Sequence, residues 1–121
     1  MTKKGDGKMD ECIFCKIVKG DIPSAKVYED ERTFAFDDIQ PMAPVHVLIV
    51  PKGHVETVMD LAEDDDLAKD LLTAAQKVAR IKKVDRSGFR LVVNCGSDGG
   101  QIVSHLHLHL LGGKKLADEM G

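Results

Sequence analysis

Apolar positions along this chain follow two rhythms. In "ECIFCKIVKG", Ile13, Phe14, Ile17 and Val18 recur at helical spacing, and Gly20 stands where a left-handed cap would end a short helix. "AKVYED" and "RTFAFDD" are two β-rich runs joined by an acidic turn, which predicts a hairpin. Beyond the prolines of "QPMAP", the run "VHVLIVP" is the strongest strand signal, ended by Pro51. The helical rhythm returns at Leu67, Leu71, Ala74, Ala75 and Val78. Glu63, Asp64, Asp65 and Asp66 load the first turn of that helix and Arg80, Lys82 and Lys83 its last, as the helix dipole favours. "GFRLVVN" reads as a strand, "CGSDGGQ" as a glycine-rich loop, and "IVSHLHLHLLG" as one final strand stopped by Gly112 and Gly113. The order α-β-β-β-α-β-β, with strands so close in sequence, predicts an α+β fold: an antiparallel sheet with helices on one side.

Residues 1–10, "MTKKGDGKMD", are polar and glycine-containing and read as a flexible tail ahead of a single domain over 11–121. The net charge of −3 gives no general attraction to nucleic acid or to an anionic membrane. No apolar run approaches a membrane span, and no signal-peptide core is present at the N-terminus. Three cysteines, two of them in a C-x-x-C, make no disulfide framework, so a reducing cytoplasm is the expected compartment.

His105, His107 and His109 occupy every second position of the last run, with Leu106, Leu108 and Leu110 between them. In a strand the leucines share one face and can pack under a helix, while the histidines share the other. Packing accounts for the leucines but not for three imidazoles in register. His105 and His109 would lie roughly 13 Å apart at Cα on a straight strand, so one ion does not hold all three, and a division of labour follows. The C-x-x-C at Cys12 and Cys15 is open to a redox pair, half a zinc site or two buried thiols; zinc would need distant histidines, with His46, His54 and His105 as candidates. Cys95 reads as a small buried residue. The loop from Asn94 through Gly96, Gly99 and Gly100 can bring backbone N–H groups to a phosphate, and it leads straight into the histidines.

Taken together, these residues resemble the histidine triad superfamily, whose signature H-φ-H-φ-H-φ-φ (φ apolar) is matched at every position by "HLHLHLL". "CIFCKIVKGDIPSAKVYED", "FAFDDIQPMAPVHVLIVPKGH" and "GFRLVVNCGSDGGQ" are similar to its nucleotide-binding Hint branch, so the resemblance spans about residues 11–113. It implies a five-stranded antiparallel sheet with two helices, dimerising into one continuous ten-stranded sheet. It further implies a hydrolase that releases AMP or GMP from purine nucleoside phosphoramidates or mixed anhydrides. His107 would attack phosphorus to give a nucleotidyl-histidine, with His109 on the phosphate and His46 supporting the triad. By position, Asn94, Gly100, Gln101 and Ile102 would hold the phosphate and Asp38 the ribose hydroxyls. Ile13, Phe14, Ile17, Phe36, Ile39 and Leu48 would line the base slot. The resemblance also implies a structural Zn2+ on Cys12, Cys15, His54 and His105, a closed set with no open position. Dinucleoside polyphosphate hydrolysis, or nucleotide binding with weak catalysis in an interaction module, are alternative activities. Two features depart from the pattern: Ile102 stands where a serine commonly follows the loop glutamine, with Ser104 two residues on, and "KKLADEMG" lacks a tryptophan-containing tail.

Overall fold

The computed structural model describes residues 11–118; the tail expected over residues 1–10 lies outside them. Helix α1 spans Ile13–Lys19 and ends at Gly20, whose φ of 88° is the left-handed cap that only glycine adopts freely. Strands β1 (Lys26–Glu29) and β2 (Thr33–Asp37) form the expected hairpin. Strand β3 (Val45–Pro51) follows, then a short 3-10 turn at Val58–Asp60 and helix α2 (Leu67–Ile81). Strands β4 (Phe89–Val93) and β5 (Leu108–Gly112) complete one antiparallel sheet in the order β1-β2-β3-β5-β4.

The sheet carries a helix on each face, where the sequence suggested one side only. Alternation along β3 sorts them. Val47 and Ile49 point with Ala35, Leu106, Leu108 and Leu110 into a core closed by Leu71, Ala74, Ala75 and Val78 of α2. Leu48 and Val50 point the other way, with Phe34 and Phe36, toward Phe14 and Ile17 of α1. The acidic run also falls elsewhere than expected. It forms the turn before α2, where Asp65 accepts a hydrogen bond from Leu67 N–H at 2.9 Å and pairs with Arg32 at 2.9 Å.

The largest difference concerns the last strand. Only Leu108–Gly112 is sheet; residues 102–107 have left it. β3 pairs as far as Ile49 with Leu108, and beyond that point Leu106 N–H donates to Val55 O at 2.6 Å and His105 N–H to Val103 O at 2.8 Å. The side chains still alternate, so Leu106 remains fully buried under α2 while His105 and His107 face α1. No helix among the described residues is long and apolar enough to cross a membrane.

Candidate active site

The histidine-bearing face divides into two clusters. In the first, Cys12 and Cys15 at the start of α1 meet His105 and His54, the latter in the loop after β3. His105 Nδ1 lies 3.2 Å from Cys12 Sγ and 3.5 Å from Cys15 Sγ, and His54 Nδ1 lies 3.3 Å from Cys15 Sγ. One donor atom from each residue falls within 4.8 Å of all the others. His105 is fully buried, and its Nε2 sits 3.0 Å from Pro51 O. That carbonyl can only accept, so Nε2 holds the proton and the Nδ1 lone pair faces the sulfurs.

Burial pushes the Cys15 thiol up to about 11, reinforced by neighbouring Cys12, and pushes His105 down to about 4. His54 Nε2 is buried with no hydrogen-bond partner. A Cys15 thiol that resists ionising, set beside Cys12 and facing neutral imidazole, is an awkward arrangement for protein atoms alone. A cation between them resolves it, because it favours both thiolates and takes the imidazole lone pairs. The donor set therefore fits a tetrahedral metal of the zinc type.

The second cluster joins His46, His107, His109 and Asp38. His46 on β3 and His109 on β5 are diagonal neighbours on one sheet face, because Leu48 is the residue directly opposite His109. His46 Nε2 approaches His109 Nδ1 at 3.0 Å and Asp38 Oδ2 at 3.4 Å, and Met42 N–H donates to His46 Nδ1 at 3.0 Å. Asp38 also accepts from Gln40 N–H through Oδ1 at 2.9 Å. His107 Nδ1 lies 2.7 Å from the carbonyl oxygen of His105 and must donate to it, leaving the Nε2 lone pair free. The His107 ring packs edge-on against Phe14 and His109, each with centroids 5.0 Å away.

Burial lowers the pKa of His46 and His107 and carries His109 down to about 4, with the neighbouring imidazoles adding to the last. All three rings are therefore neutral near pH 7, the form in which an imidazole nitrogen can attack. Asp38, His46 and His109 also bring one ligand atom each within 4.8 Å of one another.

The other residues singled out in the sequence separate by place. Phe14, Ile17, Phe36 and Leu48 are buried together beneath this face, while Ile13 is half exposed and Ile39 lies open at 92% exposure. Asn94 Nδ2 donates to Gly99 O at 2.7 Å, and a Cβ at Gly99 would lie 2.5 Å from Cys95 O, so that turn requires glycine. The donors of Gly100 and Gln101 are already engaged by other groups of the protein. Gly100 N–H reaches Ser97 O at 3.1 Å, and the Gln101 amide bonds Gly96 N, Glu56 O and Val103 O. Gln101 is thus the residue that pins the loop, a role its sequence position does not announce. Ile102 is 92% exposed and, with Ile13 and Ser104, lines a groove of about 320 Å³ beside Cys12 and His54. Sequence reasoning also missed Met42, Pro51 and Val55, which act only through their backbones and so leave no mark in residue type.

A model of the HIT domain family matches residues 19–116. The chain is similar to a purine nucleoside phosphoramidase of Escherichia coli (strain K12), 44% identical over 108 residues that cover 88% of this chain and 91% of that protein. It is similar to an uncharacterized HIT-like protein of Buchnera aphidicola (subsp. Baizongia pistaciae, strain Bp), 44% identical over 109 residues, or 89% and 97% of the two chains. Among solved structures, a HIT family hydrolase from Legionella pneumophila Philadelphia 1 superposes with a TM-score of 0.87 at 47% identity, covering 91% of this chain and 99% of that one. A histidine triad protein from Clostridium difficile gives 0.87 at 50% identity, covering 91% and 96%. The chain belongs to the HIT domain family, the histidine triad proteins.

Proposed function

We propose that this protein is a nucleotide hydrolase that cleaves purine nucleoside phosphoramidates and mixed anhydrides at the α-phosphate. It releases AMP or GMP through a nucleotidyl intermediate on His107. The observation that carries this reading is the 2.7 Å hydrogen bond from His107 Nδ1–H to His105 O, which leaves a neutral imidazole with its Nε2 lone pair available. The name of the Escherichia coli relative supplies the substrate class. In the first step Nε2 attacks phosphorus, the P–N or P–O bond to the leaving group breaks, and the leaving group takes the electron pair and a proton drawn from solvent. Water then attacks the same phosphorus and gives a proton back to solvent, the N–P bond breaks, and its electrons return to Nε2.

His109 contacts the phosphate and His46 supports the triad, Asp38 receives the ribose hydroxyls, and Asn94 with the Ile102 backbone N–H holds phosphate oxygens. Gly100 and Gln101 shape the turn that presents them. Ile13, Phe14, Ile17, Phe36, Ile39 and Leu48 form the wall on which the base rests. Cys12, Cys15, His54 and His105 would hold Zn2+; with four protein donors there is no open position, so the ion's task is to cross-link α1 to the segment carrying the nucleophile. A reducing cytoplasm is the compartment in which Cys12 and Cys15 stay available to that ion.

A second copy is the partner that the free sheet edge suits. Phe89, Leu91 and Val93 of β4 are 36–43% exposed at that edge, and Val93 shares a wholly apolar pocket with Leu72 of α2, which is 54% exposed. Pairing β4 with its copy extends the sheet to ten strands and covers these side chains. Sedimentation should show a dimer that Leu91→Lys disrupts.

Incubation with an adenosine phosphoramidate tests the activity. Wild-type protein releases AMP and His107→Ala does not; equal release from both overturns the reading. Diadenosine polyphosphates offered in competition separate the polyphosphatase alternative. The exposed aliphatic Ile102 favours a slower, binding-dominated variant, and tight AMP binding without turnover is the result that would select it.

A further inference from the structure

Met42 lies between β2 and β3 and is 76% exposed, and its hydrogen bond to the site is made by its backbone. Its N–H donates to His46 Nδ1 at 3.0 Å. A neutral imidazole carries one proton, so a Nδ1 that accepts puts that proton on Nε2. His46 Nε2–H then faces His109 Nδ1 at 3.0 Å, with Asp38 Oδ2 further off at 3.4 Å. Two N–H groups cannot face each other at 3.0 Å, so His109 Nδ1 accepts and the proton of neutral His109 lies on Nε2. The neighbouring nucleophile has the opposite arrangement, with its proton on Nδ1 and its lone pair on Nε2.

We infer that Met42 is a positioning residue whose backbone amide fixes the tautomers of His46 and His109, so that His109 offers a proton-bearing nitrogen to the phosphoryl group while His107 offers a lone pair. The inference rests on the hydrolase reading for its purpose, not for its geometry. It also settles what Asp38, His46 and His109 form. A ring nitrogen that holds a proton cannot ligate, so these residues make a hydrogen-bonded chain rather than a second metal site.

Long-range 1H–15N correlation spectra of the full chain at neutral pH read the tautomers directly. We expect Nε2–H on His46 and His109 and Nδ1–H on His107; a wild-type His46 protonated on Nδ1 would overturn the inference. Met42→Pro deletes the donor. Its His46 and His109 signals should become tautomer mixtures, with kcat down at least ~10-fold and KM within about 2-fold. Met42→Ala keeps the N–H and should keep both tautomers. A proline variant with unchanged tautomers contradicts the proposal. If that variant fails to fold, the wild-type and Met42→Ala spectra still decide. If no form of the protein hydrolyses a phosphoramidate, the hydrolase reading fails while the tautomers remain readable.

Discussion

His105 and His107 are separated by a single leucine and both are buried on the α1 side of the sheet, yet their rings keep different company. His105 gives its Nε2–H to Pro51 O and turns the Nδ1 lone pair toward two sulfurs. His107 gives its Nδ1–H to the His105 carbonyl and leaves Nε2 free. In each ring the nitrogen that meets a backbone carbonyl decides what the other nitrogen can do. The same residue type, two positions apart, is thereby suited to ligate a metal in one cluster and, in the proposed mechanism, to attack phosphorus in the other. His105 belongs to both, with its ring in the first and its carbonyl in the second.

The sharpest way to break this comparison is to remove one cluster and measure the other. His107→Ala should cut AMP release by about 10³-fold or more while bound zinc stays near one per chain. Loss of zinc along with activity would mean that the clusters are not separable. Cys12→Ala should do the reverse in order of cause. Elemental analysis should find the metal lost and Tm lowered by about 4 °C per kcal/mol, with activity falling because α1 and the His105 carbonyl lose their anchor. Full zinc occupancy in that variant would contradict the ligand assignment.

Leu106→Ala tests the leucine side of the alternation. It opens a void in the core under α2 and should cost about 2–5 kcal/mol in a urea titration, with zinc content unchanged.

A smaller effect is the dependence on pH. Within the fold His109 is pushed down to about 4, against an ordinary value of 6.5. Between those values the unfolded chain binds a proton that the folded chain does not. Stability should therefore be flat above about pH 6.5 and fall progressively toward pH 4. Urea midpoints at pH 7.5 and pH 5 should differ in that direction, and His109→Gln should narrow the difference. A midpoint that rises on acidification would contradict the burial of this cluster.

Much of this was legible in the residues. The 3.6-residue spacing from Leu67 to Val78 located α2, and the H-x-H-x-H alternation sorted leucines from histidines correctly. That alternation also misled. It runs unbroken through residues 102–107, and side chains alternate in any extended chain, so nothing in residue type marks where the backbone leaves β3 for Val55. The placement of α1 opposite α2 was hidden for a related reason. A seven-residue amphipathic helix shows which of its own faces is apolar, not which face of the sheet will receive it. Within the site, side chains could be nominated from their chemistry, but the groups that set each imidazole's tautomer are carbonyls and amides of His105, Pro51 and Met42. Every residue except proline carries both kinds of group, so only the fold shows which ones are aimed.

The central claim is that one of the three histidines in the signature is the nucleophile and the other two are not. Zinc-loaded protein mixed with an adenosine phosphoramidate, quenched within a turnover and mapped by peptide mass spectrometry, tests this directly. The account predicts a nucleotidyl adduct on His107 and none on His105 or His109. An adduct on either of those, or AMP release with no adduct trapped under conditions that preserve phosphohistidine, would contradict it.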